Sequence, residues 1–553
     1  MAKKPRLRII PIGGCGEIGK NMTVIEMGSD AIIVDTGIMF PANDMLGVDY
    51  IIPDFRYLLD RADLTIHGIL YTHGHEDHTG AVAHVVEALP KIPLYASPMT
   101  AALLEVKLRD ARVLNNTQIN VFNPGDAFDV GPFRIESFHV THSIPECAGF
   151  GINTPHGLIV HTGDYKFDNT PIDGRRSDYA KLAEFSQRGV LLMLGDSTNA
   201  ERPGWTQSEQ MVNNAFDNIF RQATGRIIVA TFASHISRVQ QVAHLAKRHG
   251  RKLSIAGHSM TEYVKTARRL GILDIDDSML VELNRISGVP PHQLVIMATG
   301  SQGEPSAVLG RLAAGQHRSL DVTPGDTIVV SAHTIPGNEE TVSRTINRLF
   351  QRGANVIYDP IAPVHVSGHA CQEEMKLMMS LTNPKFFVPV HGELRHLKAN
   401  ARLAMQMGIP EQNIAVVENG MVIEVDKQSI RIGERIPGGY VFVDGSGVGD
   451  IGKAVIRDRE ILARDGFIMV VANIEANSGK LIGDPEIISR GFVYLKDSER
   501  LMGSIKQTIN DVLNNTRASR NGKRREQLQE SLSRMLYNET KRRPMVFGII
   551  NEH

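Results

Sequence analysis

Short apolar runs bounded by glycine, proline, asparagine or aspartate dominate the first 200 residues. The runs Leu7–Ile12, Met22–Glu26, Ala31–Val34, Gly68–Tyr71, Pro93–Ala96, Phe133–Val140, Gly157–His161 and Val190–Leu194 predict strands. The earliest follow one another with no helix between them. Later ones alternate with helical segments such as Ala81–Leu89, apolar at Val82, Val85, Val86 and Leu89 and stopped by Pro90. That pattern predicts a mixed α/β layered domain.

From about residue 208 the pattern becomes regular strand–helix alternation. Ser208–Gln222, Ile236–His249 and Glu339–Gln351 carry the helical period, and Arg226–Thr231, Lys252–Ile255, Gln293–Ala298 and Thr327–Ser331 read as strands. These are βα units of a second α/β domain. A glycine-rich stretch with Gly438, Gly439, Gly445, Gly447, Gly449 and Gly452 reads as a connector. The tail predicts a small third α/β domain: strands Gly466–Ile474, Gly491–Leu495 and Pro544–Ile550, with helices near Arg500–Leu513 and Arg524–Leu536.

Composition narrows the class. The 553 residues, at about 150 per domain, suggest three or four domains. A hydrophobic fraction of 42% with 22% charged residues excludes a disordered or collagen-like chain. A net charge of −1 gives no global field for nucleic acid, so such binding must rest on a local groove. No run approaches the roughly 18 apolar residues of a membrane helix, so no membrane partner is expected. Cys15, Cys147 and Cys371 are distant and odd in number, which fits a reduced, cytoplasmic setting.

Gly14-Cys15-Gly16-Glu17-Ile18-Gly19 matches GxGxxG, but a dinucleotide fold needs a helix next, and Met22–Glu26 reads as a strand. A tight loop is the simpler reading. The informative stretch is His73-Gly74-His75-Glu76-Asp77-His78, where four potential metal ligands fall within six residues between a strand and a helix. His73 and His75, two apart, point to one side of an extended segment. Asp77 and His78 follow as the chain turns, and can face a second point nearby. Imidazole and carboxylate suit Zn²⁺ or Mn²⁺. Further ligands are available at strand ends: His142, Asp164 and His391. Each is weak alone, with His67, His84, His139, His156 and His161 as rivals.

His73-x-His75-x-Asp77-His78 resembles the signature of the metallo-β-lactamase superfamily. The resemblance implies His73, His75 and His142 on one metal ion, Asp77, His78 and His391 on the other, and Asp164 bridging them. More than two hundred residues separate Asp164 from His391, so the block 208–355 looks like an inserted domain, as in the β-CASP nucleases. Their motifs fall at Asp196 in Leu194–Asn199 and at His369 in His365-Val366-Ser367-Gly368-His369-Ala370. Taken whole, the chain resembles the bacterial ribonuclease J family. The resemblance is carried by Gly13–Asn21, Thr231–Arg238 (with Ala233, Ser234 and His235), Thr299–Pro305 and Ser489–Phe492. The implied fold is α/β: a metallo-β-lactamase αββα core in 1–207 and 356–430, a β-CASP domain in 208–355, a linker in 431–454 and a C-terminal domain in 455–553.

The implied activity is a 5′→3′ exoribonuclease, often also an endonuclease, in RNA maturation and decay. It would use two divalent ions, Zn or Mn, and prefer 5′-monophosphate ends. Asp196 and His369 would serve proton transfer and orientation of the nucleophile. Ala233, Ser234, His235, His365, Val366, Ser367, Gly368 and His369 would hold phosphate oxygens. By themselves Asp196 could cap a turn, and His365 and His369 could be ordinary loop histidines. The resemblance further implies a structural Ca²⁺ at Gly47, Asp49 and Asp444, although two separated carboxylates alone make a weak oxygen cage. It also implies a homodimer or higher homo-oligomer and RNA-degradation partners. The rival functions are a DNA-directed nuclease of the same superfamily, a small-molecule hydrolase on the same metal core, and a metal-bound scaffold without activity.

Overall fold

The computed structural model describes residues 6–42, 44–335, 338–492, 499–515 and 521–553. The chain divides into two compact units, Met1–Phe40 with Ile51–Val441, and Pro41–Tyr50 with Phe442–His553. None of the described helices is long and apolar enough to cross a membrane.

The first unit is built on two stacked sheets. One has eight strands in the order Ile430–Arg435, Met421–Val425, Leu7–Gly13, Met22–Met27, Asp30–Val34, Thr65–Leu70, Leu94–Ala96, Ile119–Val121. The other has six, Phe386–Val390, Val190–Asp196, Gly157–His161, Ala148–Thr154, Phe133–His139, Ala127–Val130. Alternation along each strand decides which layer a side chain serves. Ile9, Ile25 and Ile32 meet Phe150, Ile159 and Leu192 between the sheets. Their neighbours Ile10, Val24 and Ile33 face outward, against Val82, Val85, Leu104 and Leu108 of helices Val82–Ala88 and Pro98–Asp110. The result is an αββα layering. After the Gly14–Gly19 loop comes the strand Met22–Met27, so the dinucleotide pattern has no helix to bind with.

The insert is a five-stranded parallel sheet, ordered Lys252–Ala256, Leu294–Ala298, Ile227–Ala230, Thr327–Val330, Asn355–Tyr358. Both faces are covered, as a parallel sheet requires. Ile228 and Ile328 pack toward Leu312 and Leu349, and Ile227 and Val229 toward Phe216 and Val239.

Two expectations differ from what forms. The glycine-rich stretch expected to connect domains carries strand Ile430–Arg435 of the large sheet, then Tyr440–Asp444 and Gly447–Val448. Strand Ala148–Thr154 had no sequence signal because glycines interrupt its alternation. A Cβ on Gly149 would lie 2.2 Å from the Phe138 ring, and one on Gly151 2.5 Å from Phe185, so the rings occupy the place of side chains.

In the second unit, Phe467–Ile474 pairs antiparallel with Leu481–Arg490 and parallel with Met545–Glu552. Ile468, Val470 and Ala472 lie under Ile505, Ile509, Leu528 and Leu532 of helices Glu499–Asn515 and Asn521–Thr540. The strand expected at Gly491–Leu495 lies, from residue 493 on, outside the described residues; Gly491 and Phe492 form a bend.

Candidate metal centre

Every predicted ligand lies just beyond the carboxyl end of a strand. Gly157–His161, Val190–Asp196 and Phe386–Val390 are parallel neighbours, and their ends present Asp164, Asp196 and His391 side by side. On the facing sheet, Asp30–Val34 and Thr65–Leu70 are parallel neighbours whose ends lead into Asp35 and into Tyr71–His75. Carboxyl ends of parallel strands are the usual seat of a binding crevice in α/β folds.

Two separate ligand groups result. His73, His75 and His142 form the first, and Asp77, His78, Asp164 and His391 the second; a third, Asp164, Asp196, His369 and His391, overlaps the second. His73 Nε2 lies 3.0 Å from His75 Nδ1, which lies 3.2 Å from His142 Nε2. Nitrogens at a metal–nitrogen distance of about 2.0–2.1 Å and a tetrahedral angle stand about 3.3 Å apart, so these three are nearly at ligand spacing. Asp164 Oδ2 lies 3.1 Å from His78 Nε2, 3.8 Å from His73 Nε2 and 3.9 Å from His142 Nε2, between the two groups. Its other oxygen is 2.8 Å from His391 Nδ1. The buried Nε2 of His391 has no hydrogen bond of good geometry and stands 3.4 Å from Asp77 Oδ2, a fellow member of its group. A buried nitrogen without a hydrogen bond and two convergent sets of mostly buried donors fit two divalent ions.

The electrostatics divide the two groups: burial would lower His78 and His391, but Asp164 outweighs it and holds both above the ordinary imidazole value. Burial drives His73 and His142 well below the ordinary imidazole value and His75 down to about 4, the neutral form that ligates a cation. Burial would raise Asp164, but His391, His78 and His369 pull it well below the ordinary carboxylate range.

The sequence reading missed what orients these ligands. Asp35 Oδ2 lies 2.8 Å from His78 Nδ1, and the same carboxylate accepts from the Thr72 N–H and hydroxyl, each at 2.8 Å. A carboxylate on the far nitrogen fixes a ligating imidazole. The only signal was an aspartate closing a strand in Val34-Asp35-Thr36-Gly37. Asp35 and His391 both sit at positive φ, 62° and 53°, a conformation that costs non-glycine residues of order 1–3 kcal/mol. Gly37 lets that chain pass the ligand loop: a Cβ there would lie 1.6 Å from the Asp77 carbonyl oxygen.

Asp196 and His369 are brought together beside the metal groups, with His369 Nδ1 2.8 Å from Asp196 Oδ2 and 3.9 Å from Asp164 Oδ2. Burial would lower His369, but Asp196 and Asp164 outweigh it and hold the ring above its ordinary value. The loop before His369 is tied to the centre, because His142 Nδ1 donates to the Gly368 carbonyl at 2.7 Å. A Cβ on Gly368 would lie 2.6 Å from the His142 ring. The Ser367 hydroxyl oxygen accepts from Asn199 Nδ2 at 2.8 Å and from the His369 N–H at 3.1 Å, leaving its own proton to give.

The second predicted phosphate segment also converges here. His235, the N-cap of helix Ile236–Arg248, faces His365 with ring centroids 5.9 Å apart. Both His235 nitrogens and His365 Nδ1 are buried without a hydrogen bond, His235 Nε2 standing 3.7 Å from Glu209 Oε1. Ala233 and Ser234 lie just before that cap, half-buried, and Val366 is packed into the core. Behind them, fully buried Arg238 donates to Glu209 Oε2 and Gln241 Oε1, each at 2.7 Å, and contacts Ser331 and the Val364 carbonyl.

At the residues of the calcium reading the carboxylates are engaged by protein groups. Asp444 Oδ2 is paired with Arg459 at 2.6 Å, whose guanidinium also donates to the Leu46 carbonyl. A Cβ on Gly47 would lie 2.6 Å from that guanidinium, and Asp49 accepts from the Gly445 N–H. Among the described residues no group of three or more ligands forms there.

Comparison with known proteins agrees with this layout. Family models match in four places: a beta-lactamase superfamily domain over 30–181, a ribonuclease J beta-CASP domain over 224–349, a Zn-dependent metallo-hydrolase RNA specificity domain over 353–416, and a ribonuclease J C-terminal domain over 454–553. The chain is 39% identical to ribonuclease J2 of Bacillus subtilis, covering 99% of this chain and 98% of that one. It is 41% identical to ribonuclease J of Thermus thermophilus, covering 99% and 95%. A crystal structure of an Enterococcus faecalis protein of unknown function shares the fold, with a TM-score of 0.52 at 13% identity, over 76% of this chain and 100% of that one.

Proposed function

The chain belongs to the ribonuclease J family, a family of metal-dependent hydrolases, and from that premise we propose that it degrades RNA 5′→3′ from monophosphorylated ends, with internal cleavage as a second mode. The observation that carries the chemistry is the Asp196–His369 pair set against seven convergent ligands. Two bound divalent ions, Zn or Mn, would supply a nucleophile at neutral pH and neutralise the attacked phosphate. His73, His75 and His142 would hold one ion, Asp77, His78 and His391 the other, with Asp164 shared. His369, kept toward its protonated form by Asp196, is placed to give a proton to the leaving oxygen. Asp196 is its positioning carboxylate and does not itself reach the substrate in this reading.

The terminal phosphate sits against the Ser367 hydroxyl, the His235 and His365 nitrogens left without hydrogen bonds and the backbone at Gly368. A triphosphate would add unpaired charge in a pocket already filled. The insert and the His365–His369 loop favour RNA over a small-molecule substrate, and matched RNA and DNA oligomers separate the DNA-directed alternative. The second unit serves self-association, giving a homodimer. The test is digestion of 5′-labelled RNA with and without added metal. Mononucleotide release that needs metal and is faster from 5′-monophosphate supports the reading; metal-independent cleavage, or none, removes it.

A further inference from the structure

Within His73–His78, Glu76 is the one carboxylate that takes no part in either ligand group. On one side the loop is held by backbone and polar side chains: the carbonyls of Glu76, Asp77 and His78 accept from the N–H groups of Ile38, Asn21 and Thr36 at 2.8–3.0 Å, the Asn21 amide also donates to the Asp77 carbonyl at 3.1 Å, and Asp35 holds His78. On its other side the Glu76 side chain reaches out to two helices. One carboxylate oxygen is paired with Lys107 of the core helix Pro98–Asp110. The other accepts from the Tyr263 hydroxyl, 3.3 Å away, on the insert's helix His258–Arg269. The two helices pack against each other. Gly74 marks how closely the ligand loop runs beside the core helix, since a Cβ there would lie 2.6 Å from Leu103. Burial and the nearby Glu76 charge raise the Tyr263 phenol well above its ordinary value, so it stays a donor.

We infer that Glu76 and Tyr263 form a latch through which the position of the insert is felt by the metal-ligand loop, making Tyr263 a positioning residue for the Asp77–His78 turn. This rests on the two-metal ribonuclease reading above. Tyr263 gives the insert a hydrogen-bond contact with the loop that supplies four of the seven ligands. RNA spanning core and insert holds the insert in the position seen here, with the Tyr263–Glu76 bond made, and the bond holds the Asp77–His78 turn at ligand spacing. Linkage then requires that RNA tighten metal by the factor by which metal tightens RNA, and the latch makes that tightening visible as slower metal loss.

The experiment follows metal release from the full-length protein into a chromophoric chelator, with and without a 5′-phosphorylated RNA oligomer carrying phosphorothioate linkages. No catalytic turnover is read. In the unaltered protein, saturating RNA is expected to slow release at least fivefold. In Tyr263→Phe, which keeps the ring packing, that protection falls below twofold. Glu76→Gln, whose amide carbonyl still accepts from Tyr263, keeps most of the protection. Lys107→Met keeps it too, although the RNA-free protein releases metal faster. Protection in Tyr263→Phe equal to the unaltered protein overturns the latch, as does the absence of RNA protection in the unaltered protein. A preparation that binds no divalent metal would instead remove the two-metal reading itself, and the latch with it.

Discussion

Arg238→Met tests whether a buried ion pair holds the phosphate segments in place. The guanidinium is fully buried and bonds Glu209, Gln241, Ser331 and the Val364 carbonyl, next to His365. Methionine keeps much of the apolar stem and removes the charge. Glu209, only 4% exposed, then keeps one cation, Lys166, at 3.8 Å, which it shares with Asp168. Removing one partner of a buried pair costs about 3–5 kcal/mol; the remaining lysine places the expected loss near the lower end, about 3 kcal/mol. With a urea slope of about 3 kcal/mol/M, that moves the midpoint by about 1 M. The sole tryptophan, Trp205, lies four residues before Glu209 and reports unfolding of this unit by its emission. Arg238→Met/Glu209→Gln removes the stranded carboxylate and is expected to regain about half the loss. RNA cleavage should fall in the single variant as the Val364 carbonyl loses one of its two donors and keeps only the Ser331 hydroxyl. A midpoint shift under about 0.3 M, roughly a third of the expected shift, or a double variant weaker than the single one, would refute the argument.

Ser367→Ala should lower the preference for 5′-monophosphate over 5′-triphosphate RNA by about 1 kcal/mol, one hydrogen bond, or roughly fivefold in relative rate, while internal cleavage changes less; time courses on RNAs differing only at the 5′ end measure it. His73→Ala should drop bound metal below two ions per chain and remove most activity, while circular dichroism stays unchanged; full metal content in this variant would contradict the ligand assignment. Burial works against the Glu136 carboxylate, yet Arg188, Lys181 and Asn153 bring it down to about 2. A lowered folded value stabilises above the ordinary carboxyl value and is lost as pH falls toward 2. Glu136→Gln should therefore lower the melting temperature at pH 7 and flatten its decline between about pH 5 and 2, read by scanning fluorimetry; parallel curves would contradict it.

The strands of the core were legible wherever alternation was intact, and illegible where aromatic rings replaced side chains over Gly149 and Gly151. Helix Pro98–Asp110 was missed for a related reason: Met99 to Leu104 are all buried, so no polar face marks the period. The metal ligands were legible because four of them lie in one short run. His142, Asp164 and His391 needed the family resemblance, since nothing local separates them from other strand-end residues. Asp35, Glu76 and Arg238 act through distant partners, and their roles emerged only when Asp35 met His78, Glu76 met Tyr263, and Arg238 met Glu209.

The order in which the ligands occur along the chain has a consequence for biogenesis. His391 follows the insert, and the strand Met421–Val425 must return to pair with Leu7–Gly13 at the other end of the unit. A ribosome-bound chain that has not yet exposed residue 391 lacks a ligand of the second group. One that has not exposed residue 425 leaves an open edge on the first sheet strand. Cleavage competence is thus withheld until most of the polypeptide has emerged, so the messenger being translated is not met by an active nascent nuclease.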